Sequence, residues 1–560
     1  MSGLHSPDFR PSERSPEMTR NRSLLLGALL LGAVAVPAAG AQTSASPRAA
    51  GCTDTWKAAV SGLWGVPANW STGQIPGNTD DVCITLPGTY TVTLAPWSIG
   101  TADPNNNGAG VAAITIGASG GGGIETLDVV GQGSTSNSNE QVSTVSLNVT
   151  KTSTITSHGN LMLDSTSAGT KPPPGTAPGG AATVGGGEFL NYGTIETETQ
   201  APSDKLANFI QLEATLVNEP HASVHDLSGQ LQEDAITNDG NFTVSSGASM
   251  SLIPLQVNFG GPASFANYGA LVNDGSITAN QTAGAVTWTQ AGGPIKGNEV
   301  VLGGGATLLD KSGAAQFFVD SISAQVKGTI PPGQKITVVG EAYNYRGDNY
   351  NGTSLGLDAS TVVNDGTIVL EAQGSGLKTG GPAVLNNGAL VNNATILAEV
   401  KDPSWPVQYE AGLTNKHSGT LSVTGGEFED NAPAVATNDG TVKVGSGALY
   451  LLESGAAFTN KSDGTIVPEV SSPKSLGQFQ VVSPCCAGPG RFIAGGSLDP
   501  VVVGHVSANT DLPLFLVSGG VFEGTFAHLA KPFTADYAHE TATPAFVGAV
   551  YEESAKKPKE

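Results

Sequence analysis

In the stretch "GGEFEDNAP", Glu427, Glu429 and Asp430 place three carboxyls within four residues. If the segment is extended, Glu427 and Glu429 project from one face of a strand, roughly 6–7 Å apart. Carboxyl pairs about 5–9.5 Å apart are what glycoside hydrolysis needs. The same "GGEF" stands at 186–189, however, which points to a repeated structural element with a solvated acidic face. "HASVHD" sets His221 and His225 four apart, with Asp226 adjacent. On a helix they would share a face and suit zinc. In a strand they lie about 13 Å apart, too far for one ion. "DPNNNG" at 103–108 has the first half of a calcium loop, but Ile114 occupies the place of the bidentate Glu, so it reads as a polar turn. The tripeptide Arg346-Gly347-Asp348 is too short to assign a receptor. No Ser-His-Asp or Cys-His spacing and no phosphate loop is found. The sequence therefore assigns no catalytic, cofactor-binding or metal-ligating residue, and no cofactor.

The segments around these residues read as short strands. The chain has 560 residues, 75 of them Gly, and only 13% are charged. Gly, Asn, Asp, Ser and Pro separate short runs of Val, Ile, Leu and Thr, a pattern of strands and turns. No segment of the body carries a convincing helical period. A phrase recurs: "ITNDGNFTVSSGASMSL" at 236–252 and "ATNDGTVKVGSGALYLL" at 436–452 agree at nine of seventeen positions. Variants run through the last third at Asn364, Asn386, Asn415, Asn438 and Asn460, with an extra Asn392. A step near 22 residues is too short for a propeller blade and fits three strands and three turns, one coil of a β-helix. At the corners Asn238-x-Gly240, Asn364-x-Gly366 and Asn438-x-Gly440, Gly is expected to supply a positive φ, and Asn to tolerate it. Stacked Asn can also form amide ladders. Val442 and Val444 are expected to face inward and Lys443 outward, before a second corner at Ser446-Gly447-Ala448 and a strand Leu449–Leu452. A calcium-binding corner is the competing reading of Asn-Asp-Gly, but the GGxGxD repeat is absent.

The ends differ from the body. Residues 18–42, "MTRNRSLLLGALLLGAVAVPAAGAQ", have a basic start, an apolar run from Leu24 to Val36 and an Ala39-Gly40-Ala41 cleavage pattern. They read as a secretory leader, with 1–17 an upstream extension. No later apolar stretch is long enough to span a membrane. Residues 1–41 carry four basic and three acidic side chains, so the remainder holds 21 against 45, a net charge of −24. Such a surface repels phosphate backbones and excludes nucleic acid as a partner. Cys52 and Cys83 flank one N-terminal unit and are expected to pair, as export permits. Cys485-Cys486 could form a vicinal bridge or stay reduced, and pairing across the two sets stays open.

The segment 54–94 carries Trp56, Trp64 and Trp70 and the series Asn69-Trp70-Ser71, Gly73, Pro76, Asp80, Asp81, Val82, Ile84, Tyr90, Val92. This pattern resembles the opening of bacterial secreted and surface β-helix proteins, both passenger-like and pectin-lyase-like. The resemblance implies an N-terminal cap leading into the first coils, and it implies no particular activity. It frames the expected organisation. Residues 1–41 form the extension and leader, and 42–100 the cap and first strands. The β-helix repeats occupy 101–470, with a Pro/Gly-rich loop at 171–187. A C-terminal capping region spans 471–550 and a polar tail 551–560. No sortase signal or terminal anchor follows, which favours release or non-covalent attachment. The expected fold is all-β, a right-handed parallel β-helix with a Trp-rich N-terminal cap and a C-terminal β cap.

The expected function is a secreted, extracellular or cell-surface-associated solenoid that is structural, adhesive or carbohydrate-binding and non-catalytic. Its faces would offer Thr, Ser, Asn and aromatics such as Tyr343, Tyr345, Tyr350 and Trp405 to polysaccharide or cell-surface glycans. The alternative is a polysaccharide lyase or glycoside hydrolase. A pectate-type lyase would need a basic residue beside carboxylates, and only Arg346 and Arg491 offer a guanidinium beyond the cap.

Overall fold

The computed structural model describes residues 51–95, 108–131, 145–165, 181–199, 209–254, 262–281, 284–321, 323–340, 343–345, 348–350, 352–375, 378–431, 435–483, 488–537 and 545–552. The leader, residues 103–107, most of the Pro/Gly-rich loop, Arg346-Gly347, Cys485-Cys486 and the end of the tail lie outside them.

The repeated phrase explains how the chain winds. Val435–Asn438, Thr441–Val444 and Leu449–Leu452 are successive strands, and the next, Ala457–Asn460, pairs in parallel with the first. The second and third strands stack in the same way on Thr465–Ser472 and Gln478–Val482. One coil is thus three strands, and Asn438 meets Asn460 after 22 residues. Among the described residues, 42 strands join one hydrogen-bonded network and nine form a second parallel sheet, from Gly62–Leu63 to Ile295–Gly297. The protein is a parallel β-helix, and the stacking is compatible with the right-handed winding that crossover sterics favour.

Alternation fills the core. Val442 and Val444 are fully buried while Lys443 is exposed, as period-two patterning requires. Because equivalent side chains of successive coils stack, aromatics form columns: Phe265 lies 4.4 Å from Trp288, and Tyr450 4.9 Å from Phe479. Such pairs add to the burial of their area.

The N-terminal cap closes on its tryptophans. Trp70 meets Trp56 and Trp64 edge to face at 5.0 and 4.8 Å, and its indole N–H donates to the Trp64 carbonyl at 2.7 Å. The motif residues around them are structural. Asn69 donates to the Leu63 carbonyl, and Ser71 donates to the buried Asp54 carboxylate, which also accepts from Thr72. Cys52 and Cys83 are bonded as a disulfide. At the other end parallel stacking stops. Ala545–Tyr551 runs antiparallel to Thr510–Ser518 and to Phe533–Asp536, covering an edge that would otherwise template further pairing.

Two details of the corners differ from expectation. Gly240, Gly366 and Gly440 do not have positive φ, and neither do Asn238, Asn364 and Asn438, which end strands. The glycine is needed for closeness. A Cβ at 440 would lie 2.1 Å from the Lys416 carbonyl oxygen and 2.4 Å from that of Gly419, both main-chain atoms of the coil below. Positive φ occurs instead at the second corner, at Gly247 and Gly447, where a Cβ would find room. Asn386, grouped by spacing with the corner residues, is not one of them. It sits at a bulge, and Asn392 takes the register position between Asn364 and Asn415.

Candidate functional site

The corner asparagines face inward and bind one another. Asn364, Asn392, Asn415, Asn438 and Asn460 form a chain in which each side-chain N–H donates to the next Oδ1 at 2.7 Å. Asn191, Asn218, Asn238 and Asn267 form another, at 2.8–2.9 Å. Several amides also close their own corner, as where Oδ1 of Asn438 accepts from the N–H of Gly440, and several reach the next coil, as where Nδ2 of Asn415 donates to the Thr441 carbonyl. These asparagines are at most 1% exposed. They hold coils in register and cannot present a calcium-binding corner to solvent. Beyond Asn267 the column continues with Gln290 and then Asp310, whose carboxylate accepts from Gln334 Nε2.

Burial strongly raises the proton affinity of three acids. Asp310 is pushed up to about 8 by burial, which the Gln334 and Lys311 hydrogen bonds only partly oppose. Burial pushes Asp226 up to about 7 against a single hydrogen bond from Thr197. Asp128 is also raised to about 7, first by burial and then by the nearby Asp164 carboxylate.

The residues with chemical potential in sequence do not converge. His221 is an exposed turn residue with φ 75°, His225 faces outward, and Asp226 faces the core. Among the described residues no three His, Cys, Asp or Glu side chains are placed to hold a metal ion. Glu427 and Glu429 do share the outer face of Glu427–Asp430, while Asp430 points inward and accepts from the Tyr450 hydroxyl. Burial, Glu429 and Glu453 raise Glu427, and Gln408 donates to Glu429. The earlier "GGEF" has the same arrangement, with Glu188 outward and Phe189 buried. Arg491 pairs with Glu523. Trp405 packs partly against the core rather than standing free on a face.

Two outer features emerge that sequence spacing did not reveal. Thr367, Thr395, Thr420, Thr441 and Thr465 are register partners in consecutive coils, followed by Ser497. All are half-buried and face outward, making a hydroxyl row with the strand repeat of about 4.8 Å. The second is a groove of about 530 Å³ on the outer face of the nine-stranded sheet. Thr91, Thr126 and Asn160 form one row across its strands, and Thr93, Asp128 and Met162 the next. Ser61, Gly62, Leu63 and Asp164 complete the lining.

No family model matches the chain, and no curated protein matches it. A solved structure, the crystal structure of a TibC-catalysed hyper-glycosylated TibA fragment, is similar at 14% identity over 70% of this chain and 97% of that one, with a TM-score of 0.18. No helix among the described residues is long and apolar enough to cross a membrane.

Proposed function

We propose that this protein is an exported, non-enzymatic β-solenoid, of the passenger-like or pectin-lyase-like kind, that adheres to polysaccharide or cell-surface glycans through its outer strand faces. The observation that carries the reading is the row Thr367–Thr395–Thr420–Thr441–Thr465. Evenly repeated hydroxyls on a rigid support suit weak contacts that add along a polymer. The leader-like segment 18–42 and the Cys52–Cys83 disulfide support placement outside the cell.

A second reading, a polysaccharide-degrading enzyme, is favoured by Glu427 and Glu429 sharing one outward face. One assay separates the two. Residues 42–560 are incubated with a panel of insoluble polysaccharides, and both retention and released reducing ends are scored. The binding solenoid gives retention without products, and replacing Thr395, Thr420 and Thr441 with Glu abolishes retention. Released products that vanish in Glu427→Gln or Glu429→Gln would establish the enzyme instead. Neither retention nor products would contradict both readings.

A further inference from the structure

The groove on the nine-stranded sheet holds polar atoms that the fold leaves unused. Asp128 is 9% exposed, and its Oδ1 is buried without a hydrogen-bond partner. Asn160 donates to Glu196 at 3.0 Å, but its own Oδ1 is likewise buried and unpartnered. Buried polar atoms without partners are costly, so a native structure keeps them where something else completes them. Here both are acceptors, and both belong to residues lining one cavity of ligand-sized volume. Threonine hydroxyls at 91, 93 and 126 surround them, and Leu63 and Met162 add apolar surface.

These atoms define their complement. The ligand must bring several hydrogen-bond donors and an apolar face. It must also lack negative charge, because Asp128 and Asp164 line the groove and, among the described residues, no Lys, Arg or His does. We infer that the groove is a discrete binding site for a neutral saccharide, whose hydroxyls donate to Asp128 and Asn160 while its C–H face lies against Leu63 and Met162. The raised proton affinity of Asp128 agrees with this, since a neutral carboxyl can both donate to and accept from a sugar hydroxyl. The inference deepens the glycan-binding reading and rests on it. It adds one localised pocket to the extended faces.

The test is calorimetric titration of residues 42–560 with cellohexaose, maltohexaose, oligogalacturonate and calcium chloride. The expected result is saturable binding of at least one neutral hexasaccharide and none of oligogalacturonate. Asp128→Leu and Asn160→Ala should each weaken that binding at least tenfold with the melting transition retained. If Asp128→Leu does not fold, Asn160→Ala decides, because it removes only one side-chain hydrogen bond. Absence of binding by both neutral sugars, or equal affinity in the folded variants, would overturn the inference. So would preference for oligogalacturonate, or calcium binding lost in Asp128→Leu. Where one of these results overturns the groove, retention of the unmodified chain on insoluble polysaccharide would show that the groove assignment alone has failed and that the glycan-binding reading stands.

Discussion

Asn415→Leu is expected to destabilise the protein by about 3–4 kcal/mol, although leucine is similar in size and fully apolar. Asn415 accepts from Asn392, donates to Asn438 and to the Thr441 carbonyl, and is completely buried. Each such bond contributes about 1 kcal/mol net, and a buried group left unpaired costs about 1–3 kcal/mol. The loss is shared across three coils, because the chain of amides is polarised along its length. Asn386→Leu is the control. Asn386 is half-buried at a bulge outside the column, and its replacement should stay within about 0.5 kcal/mol. Denaturant midpoints of the two variants decide. Equal, small shifts would mean that the buried amides contribute nothing to the stacking of coils.

Stability is expected to fall as pH rises from about 4 to 9. Asp128 and Asp226 are raised to about 7 and Asp310 to about 8, each above an ordinary value of 3.8. The folded state therefore holds these protons more tightly than the unfolded chain. Their stabilising contribution is fully present below about pH 4 and disappears as pH rises through 7 to 8. Each tenfold change in proton affinity corresponds to about 1.4 kcal/mol, so each carboxyl contributes on the order of 4–6 kcal/mol across that range. Self-repulsion of a chain with net charge −23 acts in the same direction. Asp226→Asn and Asp310→Asn separate the causes, since they change net charge little and remove a specific titration. Both should flatten the decline and raise stability at pH 8, and Asp310→Asn places an amide in the column beside Gln290. Unfolding midpoints that rise between pH 5 and 9, or a decline unchanged in both variants, would contradict this.

Much of the architecture was legible because the coil is local. The corner phrase, the alternation Val442-Lys443-Val444 and the second turn at Gly447 all fall within one 22-residue step. The role of Gly440 was not legible, because its constraint comes from Lys416 and Gly419 in the coil below rather than from its own dihedral angles. Asn386 and Asn392 could not be ranked either, since a bulge in Ala383–Asn392 shifts the count and only the pairing reveals it. The groove was hidden for the same reason. Thr91, Thr126 and Asn160 are each more than thirty residues apart, and their segments show only ordinary alternation until the coils are laid on one another. Asp226 and Asp310 break the apolar pattern of inward positions, the one signal that could have marked them in advance. By contrast, Glu427 and Glu429 were visible because they lie on a single strand.

The recurring Asn-x-Gly phrase is an internal register device and not a binding corner. Hydrogen exchange of the side-chain amides, followed by NMR on the protein labelled with ¹⁵N at asparagine, tests it most directly. The carboxamide protons of Asn415 and Asn438 are expected to be protected like core backbone amides, while those of Asn386 and Asn387 exchange rapidly, and calcium is expected to change neither. Exchange of Asn415 and Asn438 as fast as Asn386, or their protection only after calcium is added, would contradict it.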